Sequence, residues 1–293
     1  MTELVDVVLG GTFHAAVLFL VAAGLQLVFG VQKIVNLACG SFYALGAYFG
    51  ITAVGMALKL GMPAPLFFPV LTLAGLAIGL VGLPIERVLR TIYRRDESYQ
   101  LLITFGFLLM FQDVFRFLWG ATPRSMDNVY MAYGTTQIWG VRVPTYNLLV
   151  IAASLGIAIA LGLLLERTRT GRIVRATAEN RDMAEGLGVN ASKIFALVFT
   201  VGCMLGTVGG ALVVPSGAAS LDMAVDLVVE SFAVVVIGGL GSMRGALVGA
   251  LVVGWMRAAA ISLVPEMEML SVYLVVVLVL IVRPVGLFGK ATA

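Results

Sequence analysis

An enzyme that works by covalent chemistry brings together a nucleophile, a base and a group that orients the base. This sequence offers little of that kind. Its one histidine, His14, stands in an apolar run with no base or orienting partner nearby in the chain. Ser242 follows glycines, but the run Gly-Leu-Gly-Ser-Met-Arg-Gly lacks the Gly-x-Ser-x-Gly frame of a nucleophile elbow. Gly289-Lys290 is followed by Ala291, and Pro284 stands where a phosphate-binding loop needs its first glycine. The chain therefore has no ATP-hydrolysing loop of this type, and any ATP energy must come from a partner. Cys39 and Cys203 lie in apolar stretches, and with a single histidine they make neither a disulfide framework nor a zinc site. No catalytic residue, metal site or cofactor is expected, and the basic residues lie in short loops rather than in a nucleic-acid patch.

Two other groups of residues carry information. The first consists of polar side chains inside apolar segments. Asp113, Arg116, Glu230 and Arg257 are ionisable, and such groups face protein or water because lipid solvates them poorly. Asp113 and Arg116 are three apart, share a helix face and are expected to pair. Gln26, Asn36, Ser41 and Gln112 either line an aqueous path or bond across helices. Asn36, Ser41 and Gln112 are the candidates for a translocation path. The second group is the run from Glu179 to Gly188. Here Glu179, Arg181, Asp182 and Glu185 surround Met183, Ala184 and Leu187, a pattern that predicts a short amphipathic helix ended by Gly188. An interfacial helix lying on lipid headgroups is the other reading, although its acidic residues oppose an anionic surface.

The elements that position these residues are hydrophobic. The chain is 60% hydrophobic and 12% charged, against about 45–50% and about 25% in soluble domains. So few charges cannot cover so much apolar surface in water, whereas a bilayer accepts it. Nine candidate membrane segments stand out, at 8–29, 34–58, 66–86, 100–119, 145–166, 193–214, 227–240, 245–263 and 269–282. The seventh and ninth are short for a span of about 20 residues, and the seventh fits a broken or re-entrant helix packed within protein. The expected fold is all-α: one polytopic transmembrane bundle over 1–293, with eight or nine segments. Met1–Asp6 carries Glu3 and Asp6 and no basic residue, so a cleavable signal peptide is not expected.

Simple alternation puts 14 of the 19 basic residues on one side. Arg87, Arg90, Arg94 and Arg95 follow segment three. Arg167, Arg169, Arg172, Arg175, Arg181 and Lys193 follow segment five, and Lys33, Arg244, Arg283 and Lys290 complete the set. The positive-inside rule then places the N-terminus outside and the C-terminus in the cytoplasm. Loop 120–144, with Trp119 at its start and Trp139, Pro123 and Pro144 within it, is expected to be ordered at the outer interface. The 34 glycines serve close helix packing. A brief echo between Gly40-Ser41 with its following residues and Gly241-Ser242 with its own hints at a structural repeat.

Several stretches together resemble the inner-membrane permeases of branched-chain amino-acid ABC importers. They are Gly24 to Val31, Ile34-Val35-Asn36-Leu37-Ala38 with Gly40 to Tyr48, Leu101 to Gly120, Arg172 to Asn190, Val236 to Gly254, and Arg283-Pro284-Val285-Gly286-Leu287-Phe288-Gly289. They span the chain in order. The Ile-Val-Asn-Leu-Ala run and the short N-terminus are similar to the LivH type rather than the longer LivM type. The resemblance implies a bacterial inner-membrane assembly of this permease, a LivM-type sister permease, two cytoplasmic ATPases and an external solute-binding protein. It also implies that loop 172–190 holds the coupling helix against an ATPase. Cys39 departs from the family pattern, where a histidine or similar polar residue is expected before the glycine. Related permeases carry urea, amides or aromatic acids, and the binding protein largely sets that choice. A self-sufficient secondary carrier and an intramembrane enzyme are the rival classes.

Overall fold

We describe a computed structural model of the chain for all residues except Met1, Val35, Tyr93, Arg94, Trp139 and 290–293. Val35 of the Ile-Val-Asn run, Trp139 of the outer loop, and Arg94 and Lys290 of the basic set thus lie outside the described residues.

The helices are α1 (Thr2–Gln32), α2 (Cys39–Lys59), α3 (Phe67–Gly79), α4 (Gly82–Leu89), α5 (Glu97–Trp119), α6 (Asp127–Ala132), α7 (Thr145–Arg167), α8 (Arg169–Glu179), α9 (Arg181–Gly186), α10 (Ala191–Val213), α11 (Met223–Gly238), α12 (Met243–Leu263) and α13 (Glu268–Val282). Among the described residues, seven stretches are long and apolar enough to cross a membrane, counting Ala64–Leu89 as one. α11 and α13, with 16 and 15 residues, are shorter.

The expected third segment is two helices. Pro84 has no N–H to give the carbonyl of Leu80, so the ladder breaks at Leu80–Val81 and α4 restarts at Gly82. Gly79 and Gly82 flank the break. A Cβ on Gly79 would lie 2.6 Å from Cα of Met204, and one on Gly82 2.8 Å from Sγ of Cys203, so only glycine lets α10 pass this close.

Glycine contacts make the centre. α10 crosses α1 where a Cβ on Gly24 would lie 2.6 Å from the Gly202 oxygen, and it crosses α2 at Gly46 and Gly210. α12 meets α1 at Gly11 and Gly254. In lipid, where apolar surface gains nothing by leaving the solvent, such close backbone contact supplies the van der Waals energy of assembly. α1 is accordingly the most buried span, while α5 and α7 are the least buried.

α5 leans on α2 through aromatic rings. Phe42 meets Phe111 at 5.9 Å, and Tyr48 meets Phe115 and Trp119, each at 5.3 Å. Asp113 and Arg116 point away from this seam and are exposed; no ion pair joins them. A surface pair at this spacing gains only about 0.2–0.5 kcal/mol, too little to hold two side chains together.

The outer loop departs from a purely helical fold. After α6, β1 (Thr135–Ile138) and β2 (Val141–Pro144) form an antiparallel hairpin. The hydroxyl of Tyr133 accepts the N–H of Phe68 at 2.8 Å and donates to the Pro65 carbonyl, which pins the loop to the start of α3. Burial pushes this phenol above the ordinary tyrosine range, although the Phe68 N–H opposes the shift, so it stays a neutral donor.

Candidate functional site

The arginine-rich end is built around the 167–192 loop, which is not one helix but two. Thr168 caps α8 by accepting the Gly171 N–H at 3.0 Å, Asn180 caps α9 through the Met183 N–H at 2.9 Å, and Asn190 caps α10 through the Lys193 N–H at 3.1 Å. Three side-chain caps in succession satisfy helix ends that would otherwise depend on solvent. α8 buries Gly171, Val174 and Thr177 on one face, and Val174 packs with Leu27, Val31, Phe195 and Val198.

α9 is the six-residue core of the expected amphipathic helix, and Gly188 ends it with φ +85°. Glu179 belongs to α8 instead. The three apolar residues do not share one outward face. Ala184 is buried against the body, whereas Met183 is 65% and Leu187 80% exposed. Arg181 does not reach outward either, because its Nε donates to Glu185 at 3.0 Å and its guanidinium lies over the Phe195 ring at 5.1 Å. Asp182 and Glu185 stand exposed beside the two apolar residues. The result is a knuckle, anchored by Ala184 and Arg181, that displays Met183 and Leu187.

The candidates for a translocation path are placed as follows. Asn36 is buried, and its Oδ1 accepts the Ala38 N–H at 3.0 Å, which turns the chain into α2. It lines a void of about 10 Å³ with Cys39, Cys203 and Gly206, space for about one water. Ser41 is fully buried, and its hydroxyl meets no partner among the described residues. Gln112 is half-buried on α5. The three do not converge on a single cavity. Gln26 does cross helices: its Nε2 donates to the Gly239 carbonyl at 2.9 Å, and its Oε1 accepts the Gly241 N–H. That glycine turn also receives the C-terminal segment, since the Leu287 and Phe288 N–H groups donate to the Ile237 and Gly238 carbonyls. Two motif stretches far apart in sequence therefore cap each other.

His14 is not alone. Its Nε2 lies 3.1 Å from Oε2 of Glu230 and 2.8 Å from Nη1 of Arg257, and Arg257 also pairs with Glu230 and Glu268. Sequence reading singled out Glu230 and Arg257 as costly charges in apolar segments. Their convergence on His14, across separations of 216 and 243 residues, left no local signal.

The described residues form a helical membrane bundle that presents a capped knuckle at its arginine-rich end, and its relatives define its class as a transport permease. Residues 7–282 match the family described as "Branched-chain amino acid transport system / permease component", and the chain belongs to that family. It is 26% identical over 282 residues to the branched-chain amino acid permease BraD of Pseudomonas aeruginosa, covering 92% of this chain and 91% of that one. It is 25% identical over 292 residues to LivH of Escherichia coli, covering 97% and 93%. It is also 26% identical over 264 residues to the ribose import permease RbsC of Haemophilus influenzae, covering 87% and 77%. Among solved structures, PsaBC from Streptococcus pneumoniae aligns with TM-score 0.49 at 12% identity, covering 93% of this chain and 89% of that one. The membrane-permease class implies ATPase and solute-binding partners.

Proposed function

We propose that this chain pairs with a sister permease in the inner membrane to form the translocation path for branched-chain or related amino acids. Two cytoplasmic ATPases drive the assembly, and an external binding protein loads it. The N-terminus lies outside and the C-terminus in the cytoplasm, in keeping with the arginine-rich loops. The observation that carries the coupling role is the α9 knuckle. Met183 and Leu187 are large apolar side chains held outward among Asp182 and Glu185 on a capped helix, and an apolar centre within a polar rim is the anatomy of a protein contact. The outward face of α5 supports the sister permease, because Asp113 and Arg116 on a span call for protein or water rather than lipid. Asn36, Ser41 and Gln112 remain the polar groups assigned to the path or its lining helices. Relatives that import ribose and fructose support leaving the choice of solute to the binding protein.

The test is Met183→Asp in the intact assembly. A carboxylate buried unpaired at the ATPase contact costs several kcal/mol. The variant is expected to insert and fold, to retain the ATPases weakly, and to lose uptake. Wild-type co-purification and uptake would remove α9 from the coupling role.

A further inference from the structure

At the end of the bundle opposite the arginine-rich loops, four elements bring ionisable side chains into one cluster. These are His14 of α1, Glu230 of α11, Arg257 of α12 and Glu268 at the start of α13. The two contacts of His14 Nε2, at 3.1 Å to Glu230 and 2.8 Å to Arg257, ask opposite things of one nitrogen. A guanidinium only donates, so the contact with Arg257 needs a bare lone pair on Nε2. A carboxylate only accepts, so the contact with Glu230 needs a proton there. A neutral ring satisfies one of the two. An imidazolium satisfies Glu230 and sets its own charge against Arg257.

Carboxylates approach the ring from several helices. Glu230 faces His14 from α11. Glu268 comes from α13 by way of Arg257, and Asp6 of α1 itself lines the same cavity. Asp226 on α11 and the Tyr43 phenol on α2 feel the charges of Glu230 and Arg257. Against these carboxylates stands a single guanidinium. His14 is 28% exposed and, with Asp6, Arg257 and Ser262, lines a cavity of about 480 Å³ between the ends of α1 and α12. That opening gives water a way to the ring.

We propose that His14 is a proton-operated switch of helix partners. Neutral, with its proton on Nδ1, it accepts from Arg257 and ties α1 to α12. When Nε2 takes a proton from water in the cavity, the ring donates to Glu230 instead, ties α1 to α11 and releases Arg257 to its carboxylates. No other group changes protonation in the step. Acidification on that side of the membrane therefore loosens the α1–α12 seam, which closes at Gly11 and Gly254 one turn or less from the cluster.

His14 is the only histidine, so histidine-specific nitrogen labelling of the full chain in lipid nanodiscs reports this ring alone. The expected spectrum at about pH 8 shows Nδ1–H and a bare Nε2, and acidification converts it to imidazolium in one step. Amide exchange at residues 257–263 should rise roughly tenfold with the same midpoint, the factor that one charge-assisted hydrogen bond carries. Glu230→Gln should move that midpoint to lower pH, and His14→Gln should abolish the pH response of exchange. An Nε2–H tautomer at about pH 8, titration without any change in exchange, or an unchanged exchange response in His14→Gln would each overturn the switch.

Discussion

Replacing Gly46 by alanine should destabilise the bundle, although the same change at Gly55 of the same helix should not. A Cβ on Gly46 would lie 1.9 Å from the Thr207 oxygen, and contacts below 3.0 Å are essentially unknown for real Cβ atoms. The obstacle is helix backbone, which cannot rotate aside, so α2 and α10 must part by about 1 Å. A gap of that size forfeits about a quarter to a half of the dispersion well of the atoms across it. Overpacking of this kind costs about 3 kcal/mol at its upper range, and alanine returns about 1 kcal/mol over glycine in a helix. The net loss of about 2 kcal/mol corresponds to a melting point lower by about 4–8 °C. Gly55 has nothing within 4 Å of its added Cβ, so Gly55→Ala should raise stability by up to about 1 kcal/mol. Cys39 and Cys203 are free and buried on the two helices concerned, so a thiol-reactive dye added during heating reports when this crossing opens. A Gly46→Ala melting point equal to or above that of Gly55→Ala would refute the close-packing argument. Gly210→Ala strikes the same crossing from the other side, where its Cβ would lie 1.8 Å from the Tyr43 oxygen. Its effect should therefore combine with Gly46→Ala less than additively.

Three further outcomes are expected. Gln26→Leu strands the Gly241 N–H and takes one of two donors from the Gly239 carbonyl, which keeps the Ser242 N–H; it should cost about 1–3 kcal/mol, read by the same thermal assay. Asn180→Ala removes the cap of α9, worth about 1 kcal/mol, and should speed amide exchange in residues 181–187 while leaving the global melting point unchanged. Cysteines at Ser98 and Ser125 should label with impermeant maleimide from opposite sides of the membrane, and equal labelling from outside would overturn the proposed orientation.

The apolar runs were legible because bilayer solvation imposes length and composition at once. Each of the nine expected segments lies within a few residues of a helix or helix pair. Caps were legible in part: Gly188 announced the end of α9, but Asn180 split the loop into two helices through a bond visible only once α8 has turned. Segment three was read through its break, since hydropathy is blind to the N–H that Pro84 lacks. The pairing of Asp113 with Arg116 was expected from spacing alone and does not form, because an exposed pair gains too little to be held. Asn36 reads in sequence as a candidate for a polar path; in the fold it spends its oxygen on a turn. The His14 cluster was out of reach because spacing arguments stop at a few residues, whereas its partners arrive from the far end of the chain.

The position of α1 has a consequence for how the protein is made. It is made before the other described spans, yet two of its polar side chains find partners only 213 to 243 residues further on: Gln26 at Gly239 and Gly241, His14 at Glu230 and Arg257. At about 5–20 residues per second, α1 waits roughly ten to forty seconds in the membrane with an amide and an imidazole unsatisfied. Nascent chains that stop before residue 223 expose that amide and imidazole to lipid or to whatever chaperones the insertion machinery supplies. Membrane quality control can thus tell an incomplete copy of this chain from a finished one by its first helix.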